Sequence, residues 1–252
     1  PAAGGRGRVE FRDVTFSYHG AEQPALSNIS FTAEPGEIVS IIGGTGSGKS
    51  TLINLIPRFY DVDSGAVLVD GVDVRDITQS ELRGKIGFVP QKSVLFSGSI
   101  AENIRFGKED ATDTEISDAA ATAQATEFIS QTEEGYEHMI AQGGTNVSGG
   151  QKQRLSIARA LVKKPEVYLF DDSFSALDFK TDAKLRAALK KQTADSTVFI
   201  ISQRVSTVMD SDKIIVLDEG RIVGLGRHRD LVRTCSVYRE IAASQLSEEQ
   251  LA

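Results

Sequence analysis

Cysteine is nearly missing. The chain has one, Cys235, among 252 residues. A lone thiol excludes an internal disulfide and fits a reducing compartment. Cys235 itself reads as an inert thiol within a C-terminal helix. Long apolar runs are missing too: "EIVSII" and "TVFIIS" have strand length, far short of the roughly 18–20 residues of a membrane span. The opening residues show no signal-peptide or transit-peptide pattern. "PAAGGRGR" is small, Gly-rich and basic, so residues 1–8 read as a linker from an absent upstream domain. An excess of positive charge is also lacking. With 28 Lys and Arg against 35 Asp and Glu the formal charge is −7, which argues against a general nucleic-acid or anionic-membrane binder. There is no internal repeat and no low-complexity tract.

What is there is an ordinary globular composition, 40% hydrophobic and 25% charged, long enough for one large domain or two lobes. "VEFRDVTFSY" alternates apolar and polar residues as a half-buried strand does, and "ALSNISFTAE" and "GAVLVDG" follow as further strands of an antiparallel set. "GEIVSIIGG", "VYLFD", "TVFIIS" and "KIIVLDEG" are short buried strands separated by helical segments. That alternation predicts a mostly parallel sheet with helices on its faces. The middle third carries the Ala-rich helix "DTEISDAAATA" over residues 113–123, then "ATEFIS". It carries no buried strand of its own and reads as a helical lobe outside the sheet.

"GGTGSGKST", residues 43–51, fits the phosphate-loop spacing G-x-x-x-x-G-K-[ST] at Gly43, Gly48, Lys49 and Ser50. Gly44, Thr45, Gly46 and Ser47 form the bend whose N–H groups curl around phosphate oxygens, and Thr51 opens the helix behind it. Lys49 would reach the terminal phosphates, and the Ser50 hydroxyl would ligate Mg²⁺. Chance produces this spacing in on the order of one chain in a hundred of this length. Here the strand before it and the helical "LINLI" after it are both present. Asp171 ends an apolar strand, where ligands of such sheets bind, and is the expected second metal partner. Its plainer alternative is a helix N-cap.

"VSGGQKQRLSIARAL", residues 147–161, is a second anion grip: a Ser hydroxyl, two approachable Gly N–H groups and an amphipathic helix with Leu155, Ala158 and Leu161 on one stripe. Here the sequence resembles the ATP-binding domains of ABC transporters, over nearly the whole chain. The family's signature appears as Ser148, Gly149, Gly150 and Gln151 after Val147. "FVPQ" places Gln91 at the family's metal- and water-contacting glutamine. "SALD", Ser175, Ala176, Leu177 and Asp178, resembles the loop that crosses to a partner domain. The resemblance implies head-to-tail pairing in which each signature closes on ATP held by the other phosphate loop. Tyr18 fits the adenine-stacking aromatic, worth roughly 1–3 kcal/mol whatever the base, while Phe16 reads as an ordinary packed aromatic. "QKSVLFSGSIAENIRFG" resembles exporters with fused membrane domains, where this segment lies near the coupling helices. Gln142 stands where many exporters carry Glu.

Two departures concern the chemistry. The residue after Asp171 is normally Glu, which polarises the attacking water; here it is Asp172. One methylene fewer retracts the carboxylate by roughly 1.5 Å, and a misplacement of about 1 Å can cost on the order of a hundredfold in rate. The switch histidine, normally in a pattern like "AHR", is replaced in "ISQRVST" by Gln203. Gln can hydrogen-bond a phosphate but cannot carry a proton as imidazole does. His19, His138 and His228 lie elsewhere and read as solvated loop or helix residues. Paired departures of this kind resemble the degenerate half of heterodimeric exporters.

The expected architecture is α/β: a RecA-like P-loop core with a mostly parallel sheet, an antiparallel β lobe and a helical lobe at about residues 92–162, all within a domain over residues 9–252. The expected function is an ATP- and Mg²⁺-binding exporter domain at the cytoplasmic face of the cell membrane. Its own site would hydrolyse weakly, and its signature would serve a different chain with intact Glu and His. Membrane domains would lie upstream of residue 1 and of that partner. The alternatives are a nucleotide-gated dimerisation switch without turnover and a soluble ABC ATPase. Nucleic acid is not an expected partner.

Overall fold

The computed structural model describes residues 6–251. The first two strands are β1 (Val9–Phe16) and β2 (Leu26–Ala33). Val9, Phe11, Val14 and Phe16 all point inward although the spacing breaks between Phe11 and Val14. Asp13, at φ 46°, absorbs the extra residue where the register shifts, so one bulge restores the alternation. Next come β3 (Ile38–Gly43), α1 (Lys49–Asn54), β4 (Ser64–Val69) and β5 (Val72–Asp73). The antiparallel sheet has the order β2-β1-β4-β5.

Helix α2 (Gln79–Gly84) leads into β6 (Ile86–Val89). The sequence reading passes over β6 and fails there, because "IGFV" is only four residues long and runs into Pro90. A helical lobe follows: β7 (Gly98–Ser99), α3 (Ile100–Arg105), α4 (Asp113–Thr122), α5 (Thr126–Ser130), β8 (Met139–Ile140) and α6 (Gly149–Val162). Helices α3 and α4 start at capping boxes from Ser99 and Thr112, each closed by a Glu three residues on. The chain then returns to the sheet through β9 (Val167–Asp171), α7 (Phe179–Gln192), β10 (Thr197–Ile201), α8 (Val205–Val208), β11 (Lys213–Asp218) and β12 (Arg221–Gly226). Helices α9 (His228–Thr234), α10 (Ser236–Ala243) and α11 (Glu248–Leu251) close it.

The main sheet has the order β12-β11-β3-β10-β9-β6, parallel except for β12. Its residues alternate between cores. Val39, Ile41, Leu169, Phe199 and Ile201 face the antiparallel sheet, whereas Tyr168, Phe170, Val198 and Ile200 face the helical lobe and α7. A third cluster packs Ile42, Ile214 and Val216 under α10 around the fully buried Tyr238. The last two residues of the expected linker, Gly7 and Arg8, contact the domain. Gly7 and Arg8 N–H groups both donate to Asp70 Oδ1, and Gly7, at φ 99°, lies against the Glu166 carbonyl where a Cβ would collide. Residues 1–5 of that stretch lie outside the described residues. Because the five parallel strands share a direction, the segments after β3, β6, β9 and β10 all emerge at one edge.

Candidate nucleotide site

Strand β3 ends at Gly43, which sits too close to the Leu217 carbonyl to admit a side chain. Gly46 and Gly48 take φ of 76° and 104°, the left-handed region glycine enters without strain. The bend is fixed by Ser47 N–H donating to the Gly44 carbonyl (3.2 Å) and by Gly220 N–H donating to the Ser47 carbonyl (3.0 Å). Gly44, Thr45 and Gly46 are exposed. Helix α1 has no side-chain cap, so its first-turn N–H groups are available to an anion. Lys49 Nζ donates to the carbonyls of Gly43 and Gly44, both at 2.8 Å. Burial lowers the Lys49 pKa against the raising pull of Asp172 and Asp171. A phosphate placed there would stabilise the charged form that burial disfavours.

Strand β9, buried along its length, delivers Asp171 to the same edge. Asp171 Oδ1 accepts from Ser50 Oγ at 3.2 Å. Burial raises the Asp171 pKa, while Ser50 and Lys49 pull it down. Asp172 turns the chain at φ 49°, with its N–H donating to the Ile201 carbonyl at 2.9 Å. Its half-buried carboxylate accepts from Gln91 Nε2 at 3.4 Å. Burial first, then the Asp171 charge, raises its pKa against Arg204, Lys49 and Gln91. Gln203, just past β10, is exposed. Its carbonyl accepts from Gln245 Nε2 at 2.8 Å, and its side chain makes no hydrogen bond among the described residues. Lys49, Ser50, Gln91, Asp171 and Asp172 therefore form one connected group, which Gln203 joins through topology rather than contact.

Tyr18, two residues past β1, is 39% exposed. Its hydroxyl shares a 2.7 Å hydrogen bond with Thr51 Oγ1, and its ring stands edge-on to Phe16 and Tyr60. Phe16 is buried, as expected of a packed aromatic. The pinned Tyr18 ring borders a cavity of about 280 Å³ lined by Ala25 and residues 46–51. Among the described residues no group of three His, Cys, Asp or Glu is disposed to hold a metal ion. Ser50, Gln91 and Asp171 carry oxygen donors of the kind that could hold Mg²⁺ arriving with phosphate oxygens.

Ser148 caps α6. Its Oγ accepts from Gln151 N–H at 3.2 Å, and Gln151 Oε1 accepts from Ser148 N–H at 3.0 Å. Ser148 and Gly149 are exposed, and among the described residues no hydrogen bond joins residues 148–151 to the phosphate loop. A Cβ on Gly150 would come 3.1 Å from the Ala176 carbonyl, so this end of α6 lies against residues 175–178. Gln153, buried on α6, donates to Ser175 Oγ at 3.1 Å and accepts from Ala176 N–H at 2.9 Å. Leu177 is buried, and Asp178 caps α7 by accepting from Thr181 N–H at 2.8 Å.

The family model described as ABC transporter matches residues 26–175. An uncharacterised ABC transporter ATP-binding protein of Mycobacterium tuberculosis is 49% identical over 248 residues, 97% of this chain and 42% of its own length. The chain belongs to the ABC transporter family. A β-(1→2)glucan export ATP-binding/permease protein of Nitrobacter winogradskyi is 44% identical over 245 residues, covering 97% of this chain and 40% of its own. The solved structure of a bacterial Atm1-family ABC exporter with ATP bound matches at TM-score 0.93 and 40% identity, covering 98% of this chain and 43% of that one. The chain spans about two fifths of the length of these curated relatives.

Several positions in this ABC transporter domain depart from the sequence reading. His228 is not solvated: it is buried at the start of α9, with Nδ1 2.7 Å from the Tyr238 hydroxyl. His19 is exposed and His138 partly so. Cys235 lies between α9 and α10 rather than inside one helix, and its buried thiol faces the Val223 carbonyl at 3.7 Å. Sequence reasoning also missed Tyr60, Gln153 and Arg204. Tyr60 follows a run of helical residues and is placed beside Tyr18 only by tertiary packing. Arg204 carried a local signal, a cation next to the switch position.

Proposed function

We propose that this domain is one half of the ATP-driven motor of a heterodimeric ABC exporter, holding ATP-Mg²⁺ in a site that hydrolyses slowly while its signature serves the partner's site. The observation that carries this reading is the side chain after Asp171. Asp172 is shorter than the family's Glu, and its carboxylate is engaged by Gln91. Gln203 replaces the family's histidine, so no imidazole stands at the switch.

In this reading Lys49 leaves the Gly43 and Gly44 carbonyls for the terminal phosphates, and the first-turn N–H groups of α1 hold the phosphate chain. Tyr18 stacks the base. Ser50, Asp171 and Gln91 would hold Mg²⁺, which would supply charge to offset the phosphates. Asp172 reaches the attacking water less well than Glu would, and Gln203 donates a hydrogen bond but takes no proton. Residues 148–151 face a nucleotide on the partner, which keeps Glu and His. The exposed Val94, Phe96 and Phe106 form an apolar surface suited to a membrane domain, which would put this domain at the cytoplasmic face of the membrane. No helix among the described residues is long and apolar enough to cross a membrane.

Binding and turnover measured separately test the reading. Lys49→Ala should weaken ATP binding at least about tenfold in a nucleotide titration, and unchanged affinity would remove the phosphate loop from the account. The same Asp172 and Gln203 also fit a nucleotide-gated switch. Turnover by the assembled pair separates the two, since a pure switch shows none.

A further inference from the structure

The residue after Gln203 is tied to the segment that follows β9. Arg204 Nη1 donates to the Leu177 carbonyl at 2.8 Å and Nη2 to the Ser175 carbonyl at 2.7 Å. One guanidinium therefore holds both ends of the short segment between Ser175 and Leu177. Phe179 lies beneath it, with 5.0 Å from the guanidinium carbon to the ring centre. Asp182 Oδ2 stands 3.7 Å from Nη1. Asp182 is 1% exposed and is itself fixed by Arg186 Nε at 2.6 Å and Thr207 Oγ1 at 2.8 Å. The Arg204 N–H donates to Ser202 Oγ at 3.0 Å, which ties the residue's backbone to the end of β10.

We propose that Arg204 is a positioning residue that couples Gln203, the switch position of the proposed nucleotide site, to residues 175–178, so that a γ-phosphate in this site sets the position of that loop. The partner-facing consequence rests on the reading that residues 175–178 cross to a paired domain. Gln203 and Arg204 share one peptide unit, so a backbone shift that brings Gln203 to a phosphate also moves the guanidinium. Its planar fork points two donors at two carbonyls and transmits that movement with little slack. The far side of the loop is held by Gln153 from α6 through Ser175 Oγ and Ala176 N–H. The loop thus hangs between the switch segment and the signature helix. A displacement at one anchor must be taken up at the other.

Amide hydrogen exchange across residues 175–178, measured on the chain at saturating ATP-Mg²⁺ and at saturating ADP-Mg²⁺, reads this coupling. Exchange in the loop should differ by about fivefold or more between the nucleotides in the unaltered chain, and by less than about twofold in Arg204→Ala. Arg204→Lys keeps a cation near Asp182 without the planar fork, so it should recover only part of the difference. A loop that fails to distinguish ATP from ADP in the unaltered chain overturns the proposal, as does a difference that survives Arg204→Ala. If Arg204→Ala does not fold, Arg204→Lys decides alone: a reduced difference supports the coupling and an undiminished one overturns it. Sedimentation with ATP and the partner reports pairing separately. Absent pairing would contradict the proposed function while leaving the exchange result to judge Arg204.

Discussion

At Asp172 the backbone takes φ 49°, a region Asp and Asn enter more readily than most residues. The short acid therefore suits the turn even as it shortens the reach of the carboxylate. Asp172→Glu combined with Gln203→His should raise own-site turnover about tenfold or more, measured above the concentration at which the domain pairs. Unchanged turnover would mean that something other than these side chains limits the site. Asp172 also costs stability. Its pKa is raised by burial and by Asp171, so the folded state binds its proton more tightly than the unfolded chain does. The cost is complete above the folded pKa and fades as pH falls through it toward the unfolded value. Asp172→Asn keeps the turn and the acceptor for Gln91, so it should raise Tm at neutral pH. Solvent screening of this half-buried group keeps the gain to about 1–2 °C. Thermal unfolding should show the gain shrinking on acidification, and a gain that grows on acidification would contradict the assignment.

Elements whose apolar run ends in a functional residue were readable from sequence. β3 ends in the phosphate loop and β9 in Asp171, because a fully buried parallel strand leaves a continuous apolar signature. β12 lacks that signature: Val223 and Leu225 are 43% and 46% exposed, and its place depends on backbone pairing with β11. The burial of His228 was equally hidden, since Tyr238 comes from a separate helix. The helical lobe was legible as helices but its internal lock was not. Arg159 on α6 donates to the Asn103 carbonyl at 3.0 Å, the Val94 carbonyl at 2.9 Å and Asn103 Oδ1 at 3.2 Å, and lies over the rings of Phe96 and Phe106, which pack on each other. No carboxylate pairs with it among the described residues, and burial lowers its pKa. Arg159→Lys keeps the charge but cannot reach all three oxygens, so it should destabilise the domain by about 1–3 kcal/mol. Denaturant unfolding checks this, and an unchanged midpoint would make the lock dispensable.

At the scale of the whole molecule, the phosphate loop and the signature are two grips with no hydrogen bond between them among the described residues. Both emerge on exposed surface. In the proposed pairing one would hold this chain's nucleotide and the other the partner's. The grips should therefore respond differently to substitution. Gly149 has room for a side chain, since a Cβ there meets only Ala176 Cβ at 3.6 Å. Gly149→Asp should thus fold while placing a carboxylate where a phosphate is expected. Losing a preorganised donor of the signature kind costs about 2.7–4 kcal/mol in the barrier, roughly 10²–10³ in rate. Steady-state ATPase of the assembled pair, with Gly149→Asp or Asp172→Ala made only in this chain, tests the division of labour most directly. The account predicts that Gly149→Asp cuts turnover about a hundredfold while Asp172→Ala leaves it within about threefold. Near-silence from Asp172→Ala with only a mild effect of Gly149→Asp would contradict it, placing the chemistry in this chain's own site.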